Sequence, residues 1–214
     1  MNLLSEFIDL LSAAAVITAF YIQSQEFIRS MVRGQLIQSL VIAVISFIIA
    51  YYEKSVDLLI LGILLIVLRG ILITYFLLLR IPRRSSYLYE RNVSVPYLLL
   101  VDLIFVVIAT FAVYSLAFSR IQPDSIIQDP SVLLFPLILF FQGLFLITSR
   151  KATLTQVVGY VEEENALILF GLFLLPVPII IEASVFLDVL ALVIISTVVT
   201  QEKGRHEPME ELKG

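Results

Sequence analysis

Seven long apolar runs, each bounded by charged residues, proline or glycine, constrain this chain more than any other feature. A helix crossing the ~30 Å hydrocarbon layer of a bilayer needs about 20 predominantly apolar residues. The runs fall near residues 5–23, 33–52, 56–80, 96–119, 131–149, 154–175 and 178–200. None shows the two-residue alternation of a membrane barrel strand, and a lone segment in hydrocarbon satisfies its backbone N–H and C=O groups only as a helix. The expectation is an all-α integral membrane protein, a bundle of about seven transmembrane helices forming a single domain over residues 1–200. Composition agrees. The 214 residues are 60% hydrophobic and 15% charged, whereas soluble domains carry about 45–50% apolar and ~25% charged residues. Residues 201–214, QEKGRHEPMEELKG, turn abruptly polar and read as a tail with too little apolar surface to fold alone.

Proline punctuates this parsing, because it suits the first turn of a helix and disfavours helical geometry in the residue before it. Pro96 opens the fourth run and Pro130 the fifth. Arg80-Ile-Pro-Arg-Arg closes the third, and Pro176-Val-Pro178 breaks an apolar stretch that otherwise joins the last two. Pro136 predicts a local kink in the fifth helix. Orientation follows from Lys and Arg, which accumulate in cytoplasmic loops. With seven spans, two basic residues (Lys54 and Arg120) lie on the amino-terminal side and eleven on the other, leaving only Arg69 inside a span. The amino terminus is therefore expected outside and the carboxyl-terminal tail in the cytoplasm. The first span carries Glu6 and Asp9 where a secretory signal carries positive charge, so it is expected to remain in the mature protein.

Several function classes drop out. There is no cysteine and the single histidine, His206, lies in the tail. The spans thus offer no thiolate for an iron–sulfur cluster and no imidazole for haem or zinc. No cofactor or metal is expected in this chain, and electrons are not expected to pass through it. A net charge of −4 without a basic block argues against nucleic acid as a partner. No inverted repeat of the secondary-transporter kind is visible, and an odd helix count does not divide into two halves.

Ionisable residues within the spans carry the functional signal, since each costs roughly 2.5–3.5 kcal/mol at mid-bilayer on insertion scales and asks for a partner, water or a role. Arg69 is central in the third span, and Asp102 lies about 9 Å along the fourth from Pro96. The sixth span carries Glu162, Glu163, Glu164 and Asn165, and the seventh Glu182 and Asp188. Gln35 and Gln38 share one face of the second span and can hydrogen-bond across helices, as can Asn165. If Pro176–Pro178 turns the last two spans into a hairpin, Glu164 and Asp188 are level, ~15–18 Å below the turn, with Glu182 only about 6 Å in and about 120° away around the helix. Glu164, Glu182 and Asp188, with Asp102 and Arg69, are the candidate proton path, acid chains being the usual conductors in membrane pumps. A later start to the sixth helix puts the glutamate triplet at the headgroups, where acids complement a helix dipole. Independently, Glu182 can be an interfacial acid at the outer surface, and Arg69 and Asp102 a structural ion pair or interhelical hydrogen-bond clamps. Tyr51, Tyr52, Tyr87, Tyr89 and Tyr97 lie beside span ends, as an interfacial aromatic belt does.

The last two spans, VVGYVEEENALILFGLFLLPVPIIIEASVFLDVLALVII, resemble component E of hydrogenase-4, an integral membrane subunit of complexes related to formate hydrogenlyase and respiratory complex I. The features in common are the acid–amide pair Glu164-Asn165 in an apolar helix, the apolar run from Pro178 to Glu182, and Asp188 six residues later. Residues 33–80 add RGQLIQSLVIAV, which resembles that family's Gln-Ser-Leu helix, and a long span with a central basic residue, Arg69. The family is in turn similar to the small K-type subunit of complex I. Gly159, Asn165 and Ala166, and then Glu182-Ala183-Ser184-Val185, echo its glutamate-bearing helices, although Val161 stands where that subunit has its acid.

What the resemblance implies is a non-catalytic membrane subunit of a hydrogenase or complex I-like oxidoreductase complex that couples electron transfer to proton or sodium movement. It would contact antiporter-like and other membrane-arm subunits in the cytoplasmic membrane of a prokaryote and supply protonatable groups to the ion path. Two alternatives stand beside it: a purely structural subunit of such a complex, and an independent secondary transporter.

Overall fold

Long apolar runs with internal backbone hydrogen bonding become helices throughout. The computed structural model describes residues 3–81, 94–120, 131–174 and 177–204. It is all-helical over these residues, with seven helices: α1 (Leu3–Ser24), α2 (Ile28–Glu53), α3 (from Val56 to Arg80), α4 (Val95–Arg120), α5 (Ser131–Ser149), α6 (Thr153–Leu174) and α7 (Val177–Gly204). Within α3, a π-helical stretch Leu65–Ile73 joins two α-helical stretches, Val56–Leu64 and Thr74–Arg80. Among the described residues four segments are long and apolar enough to cross a membrane: Leu4–Ser24, Ile28–Glu53, Val56–Leu79 and Val95–Ser115. The chain is a multi-pass membrane protein. In α5 the apolar stretch Leu133–Ser149 is shorter, and α6 carries the acidic triplet at its middle.

Helix ends depart from the apolar runs where polar helix formers extend them. The second helix begins at Ile28 rather than near residue 33, so Arg29 and Arg33 are exposed residues of its first two turns instead of loop residues. The last helix runs to Gly204, which corrects the reading of 201–214 as a tail from its first residue. Gln, Glu and Lys have good helix propensity and continue a helix beyond its apolar part. The rest of the expected tail, with His206, lies outside the described residues, as do Arg83, Arg84, Arg91, Tyr87, Tyr89, Pro130 and Pro176. Helix α5 continues through Pro136. Tyr51, Tyr52 and Tyr97 are 81%, 61% and 64% exposed, in keeping with a belt at the span ends.

The α2–α3 turn takes two residues. Lys54 adopts the left-handed conformation (φ 52°) and returns its N–H to Ala50 O, and the Ser55 hydroxyl caps α3 by accepting from the Leu58 N–H. One turn deeper, Ser46 Oγ donates to Leu58 O at 2.8 Å and ties the two helices together.

Helix α6 occupies the middle of the packing that matters here, against α5 on one side and α2 and α7 on others, while α3 packs on α2 and α7, and α4 on α1 and α5. Its approach to α5 is backbone to backbone. A Cβ on Gly143 would lie 2.7 Å from Glu163 N, and one on Gly159 would lie 2.9 Å from Ile147 N and 3.0 Å from Gly143 O. Small residues at facing positions allow this closeness in membrane helices, where dispersion contacts replace the hydrophobic drive. One apolar cluster centres on Ile42, Leu61, Leu139 and Leu169, and a second on Met31, Ile73, Leu146 and Val158. The outward faces of α3 and α4 remain apolar and exposed, with Ile63, Ile71, Val107 and Phe111 among them, as a hydrocarbon solvent requires.

Candidate functional site: a buried charge network around Arg69

Arg69 sits in the π-helical stretch of α3 and is 0% exposed. A π-helix hydrogen-bonds i to i+5, and isolated π segments cluster at functional positions because they re-aim side chains. Here Thr74, five residues on, donates its hydroxyl back to Arg69 O at 3.1 Å. The guanidinium then reaches three groups on two other helices. Arg69 Nε donates to Asp188 Oδ1 at 2.6 Å, Arg69 Nη1 donates to Asn165 Oδ1 at 2.9 Å, and Arg69 Nη2 is charge-paired with Glu164 Oε2 at 3.3 Å. Glu164, Asn165 and Asp188 are each 1% exposed or less.

The two acids are held unequally. Asp188 has a short charge-assisted hydrogen bond. The Glu164 contact is longer, and neither of its carboxyl oxygens meets hydrogen-bond geometry with a described residue. The Tyr160 hydroxyl, one helical turn before it, lies beside the same carboxyl. With one cation facing two carboxyls, the cluster is electrically neutral only when one acid carries a proton. Of the two acids, Glu164 has the longer contact with the guanidinium.

Amides and hydroxyls of α2 extend the network. Asn165 Nδ2 donates to Gln38 Oε1 at 2.9 Å and to Ser39 Oγ at 3.1 Å. Gln38 Nε2 donates onward to Ala15 O in α1. Gln35 Nε2 donates to Ser39 Oγ at 3.0 Å, and Thr74 Oγ1 lies 3.4 Å from Gln35 Oε1. Gln35 and Gln38 share a face of α2 because residues three apart on a helix are neighbours, and both are fully buried. One hydrogen-bond and ion-pair network therefore links five helices through Arg69.

Other residues singled out from the sequence lie elsewhere. Asp102 is buried in α4 and pairs not with Arg69 but with Gln142 of α5, whose Nε2 donates to Asp102 Oδ2 at 3.1 Å. Glu182 is an exposed residue of α7 and stands apart from the Arg69 cluster, as the rotation separating it from Asp188 dictates. The later start of the sixth helix, on which the headgroup placement of the glutamate triplet rested, is not what the structure has. Helix α6 starts at Thr153, about 14 Å before Glu162 along the axis, and Glu162 and Glu164 are each 1% exposed. Thr74 and Gln142 join polar contacts that the sequence reading did not include, and Ser39, there only part of the Gln-Ser-Leu motif, joins them too. The signal for Thr74 and Gln142 was a single polar residue in an apolar run. Arg150, counted there as a loop charge, is 2% exposed and donates to Gln23 O and Gln25 O at the end of α1, where a cation complements the helix dipole.

No group of three or more His, Cys, Asp or Glu side chains suited to a metal ion occurs among the described residues. No family model, curated protein or solved structure matches the chain.

Proposed function

We propose that this chain is a membrane subunit of a hydrogenase-4 or complex I-like oxidoreductase complex, joining its antiporter-like subunits and supplying protonatable groups to a proton or sodium path. In this reading all seven helices span the cytoplasmic membrane of a prokaryote, with the amino terminus outside and the carboxyl end in the cytoplasm, and the chain holds no redox centre or other cofactor. The observation that carries it is the cluster of one cation and two carboxyls at the meeting of α3, α6 and α7. Arg69, Glu164, Asn165 and Asp188, named by the resemblance, fall within hydrogen-bonding or ion-pairing distance of one another. Glu164 is its exchangeable acid. Asp188 anchors the guanidinium, and Asn165 links the cluster to the amides of α2, so a change in the charge of Glu164 is felt across three helices.

A second reading, a purely structural subunit in which the charges only pin helices, is favoured by the same Arg69 contacts, because a guanidinium held by three groups is also a clamp. Pumping measured in reconstituted complexes separates the two. Loss of coupled ion movement is expected in Glu164→Gln, with electron transfer retained. Unchanged pumping in both Glu164→Gln and Asp188→Asn removes the conduction role. Co-purification with a cytoplasmic metal-cluster enzyme supports membership of a complex, whereas solute or cation transport by the chain alone in liposomes supports an independent transporter.

A further inference from the structure

Helix α6 carries a second buried acid on its opposite face. Glu162 and Glu164 are two residues apart, about 200° around a helix, so Glu162 turns from Arg69 toward the α4–α5 side. There α6 packs backbone to backbone on α5 beside Gln142, and Glu162 lies within electrostatic range of Asp102; the side chains of Glu162, Asp102 and Gln142 are 1%, 0% and 3% exposed. Gln142 Nε2 donates to Asp102 Oδ2, which leaves the Gln142 carbonyl oxygen as an acceptor. Four buried oxygens have no hydrogen-bond partner among the described residues: both of Glu162, Asp102 Oδ1 and Gln142 Oε1. Glu162 and Asp102 feel one another's charge, and no described basic side chain pairs with either. The ion pairs of Arg69 lie on the far side of α6.

This pocket is rich in acceptors and poor in donors, the reverse of what two ionised carboxylates in a low-dielectric site tolerate. An amide already aimed at Asp102 supplies one donor. The remaining need is for O–H groups. A proton supplies one and cancels a charge in the same step.

We propose that Asp102, Gln142 and Glu162 form a proton-binding site, separate from the Arg69 network, in which the two carboxyls hold at least one proton between them. On uptake, a proton from water adds to the Glu162 carboxylate, and the new O–H donates to Asp102 Oδ1 or Gln142 Oε1; no other bond changes. The titratable groups around the site are Asp102 from α4 and, on α6 itself, the half-buried Glu163. Among the described residues helix α5 contributes the Gln142 amide and no titratable side chain, helix α1, packed on α4 and α5, carries Glu6 and Asp9, and beyond α6 lie Glu164, Asp188 and Arg69. The site depends on the membrane setting of these helices and not on the assembly the chain serves, so it can stand or fall apart from the pumping experiment.

The test is infrared spectroscopy of the full-length protein in lipid nanodiscs, in light and heavy water, across a pH series. A C=O band from a buried protonated carboxyl, shifted by deuteration, is expected; Glu162→Gln removes it and Glu164→Gln does not. Gln142→Leu, which keeps the volume and removes only the amide partner, shifts its frequency and keeps the test decisive should Glu162→Gln fail to fold. A band that survives Glu162→Gln unchanged, or that Gln142→Leu leaves in place, overturns the proposal. So does a carboxylate band that replaces the carboxyl band when sodium chloride replaces choline chloride, because the site then takes a metal cation.

Discussion

The two faces of α6 carry the same side chain two residues apart, about 3 Å in depth, yet place it in opposite electrostatic surroundings. Glu164 faces a guanidinium, an amide ladder and a second acid that shares the cation. Glu162 lies within electrostatic range of another acid, Asp102, whose hydrogen-bond partner is an amide, and no described cation pairs with either acid. On the first face a guanidinium offsets one of the two carboxyl charges and the amide network links the helices around it. On the second, compensation must come from bound protons. The contrast teaches that the chemistry of a membrane acid is set less by depth than by which neighbour the packing turns toward it.

Removing the cation should break the contrast most severely. Arg69→Met leaves Glu164 and Asp188 buried and uncompensated, and is expected to cost about 3–5 kcal/mol, the usual penalty for orphaning a buried charge. Unfolding of the purified protein in lipid or mild detergent reads this loss. Adding Glu164→Gln and Asp188→Asn should restore much of it, and a midpoint unmoved by Arg69→Met would show that the guanidinium holds nothing together.

The closeness of α5 and α6 comes next. Gly143→Val places carbon where a Cβ already lies 2.7 Å from Glu163 N, so the helices must separate. A loss of about 1–3 kcal/mol is expected from such overpacking. Because Gln142 is the neighbouring residue, the infrared band of the Glu162 site should shift in this variant while the Arg69 side changes less. Equal disturbance of both faces would mean that they are one site.

The smallest effect belongs to the exposed acid of α7. Glu182→Gln should change stability by no more than about ±0.5 kcal/mol, as surface substitutions do, and leave pumping unaltered. A pumping defect in this variant would return Glu182 to the ion path and place its partner on a neighbouring subunit.

Much of the Arg69 site is legible in the order of residues along the chain. Counting outward from the prolines Pro176 and Pro178 puts Glu164 and Asp188 at nearly one depth, and both reach the same guanidinium. The three-residue spacing of Gln35 and Gln38 puts their amides together, and both contribute to the chain of hydrogen bonds leading from Asn165. Depth is a one-dimensional quantity that residue number alone supplies. Direction around the axis relative to a neighbour is not. That is why spacing groups Asp102 with Arg69 although it pairs with Gln142, why it offers Glu182 as a step toward Asp188 although Glu182 faces outward, and why it leaves Glu162 out of the candidate path.

From the sequence alone came the helices, their approximate ends and the presence of charged residues inside long apolar segments, because a backbone in oil must satisfy its own hydrogen bonds and each segment solves that problem locally. The tertiary structure decided which charges meet. Gly143 and Gly159, sixteen residues apart, bring α5 against α6, and Arg69 finds Asp188 across 119 positions of chain. Such contacts depend on rotations and side-chain volumes summed over several helices, and no single segment encodes them.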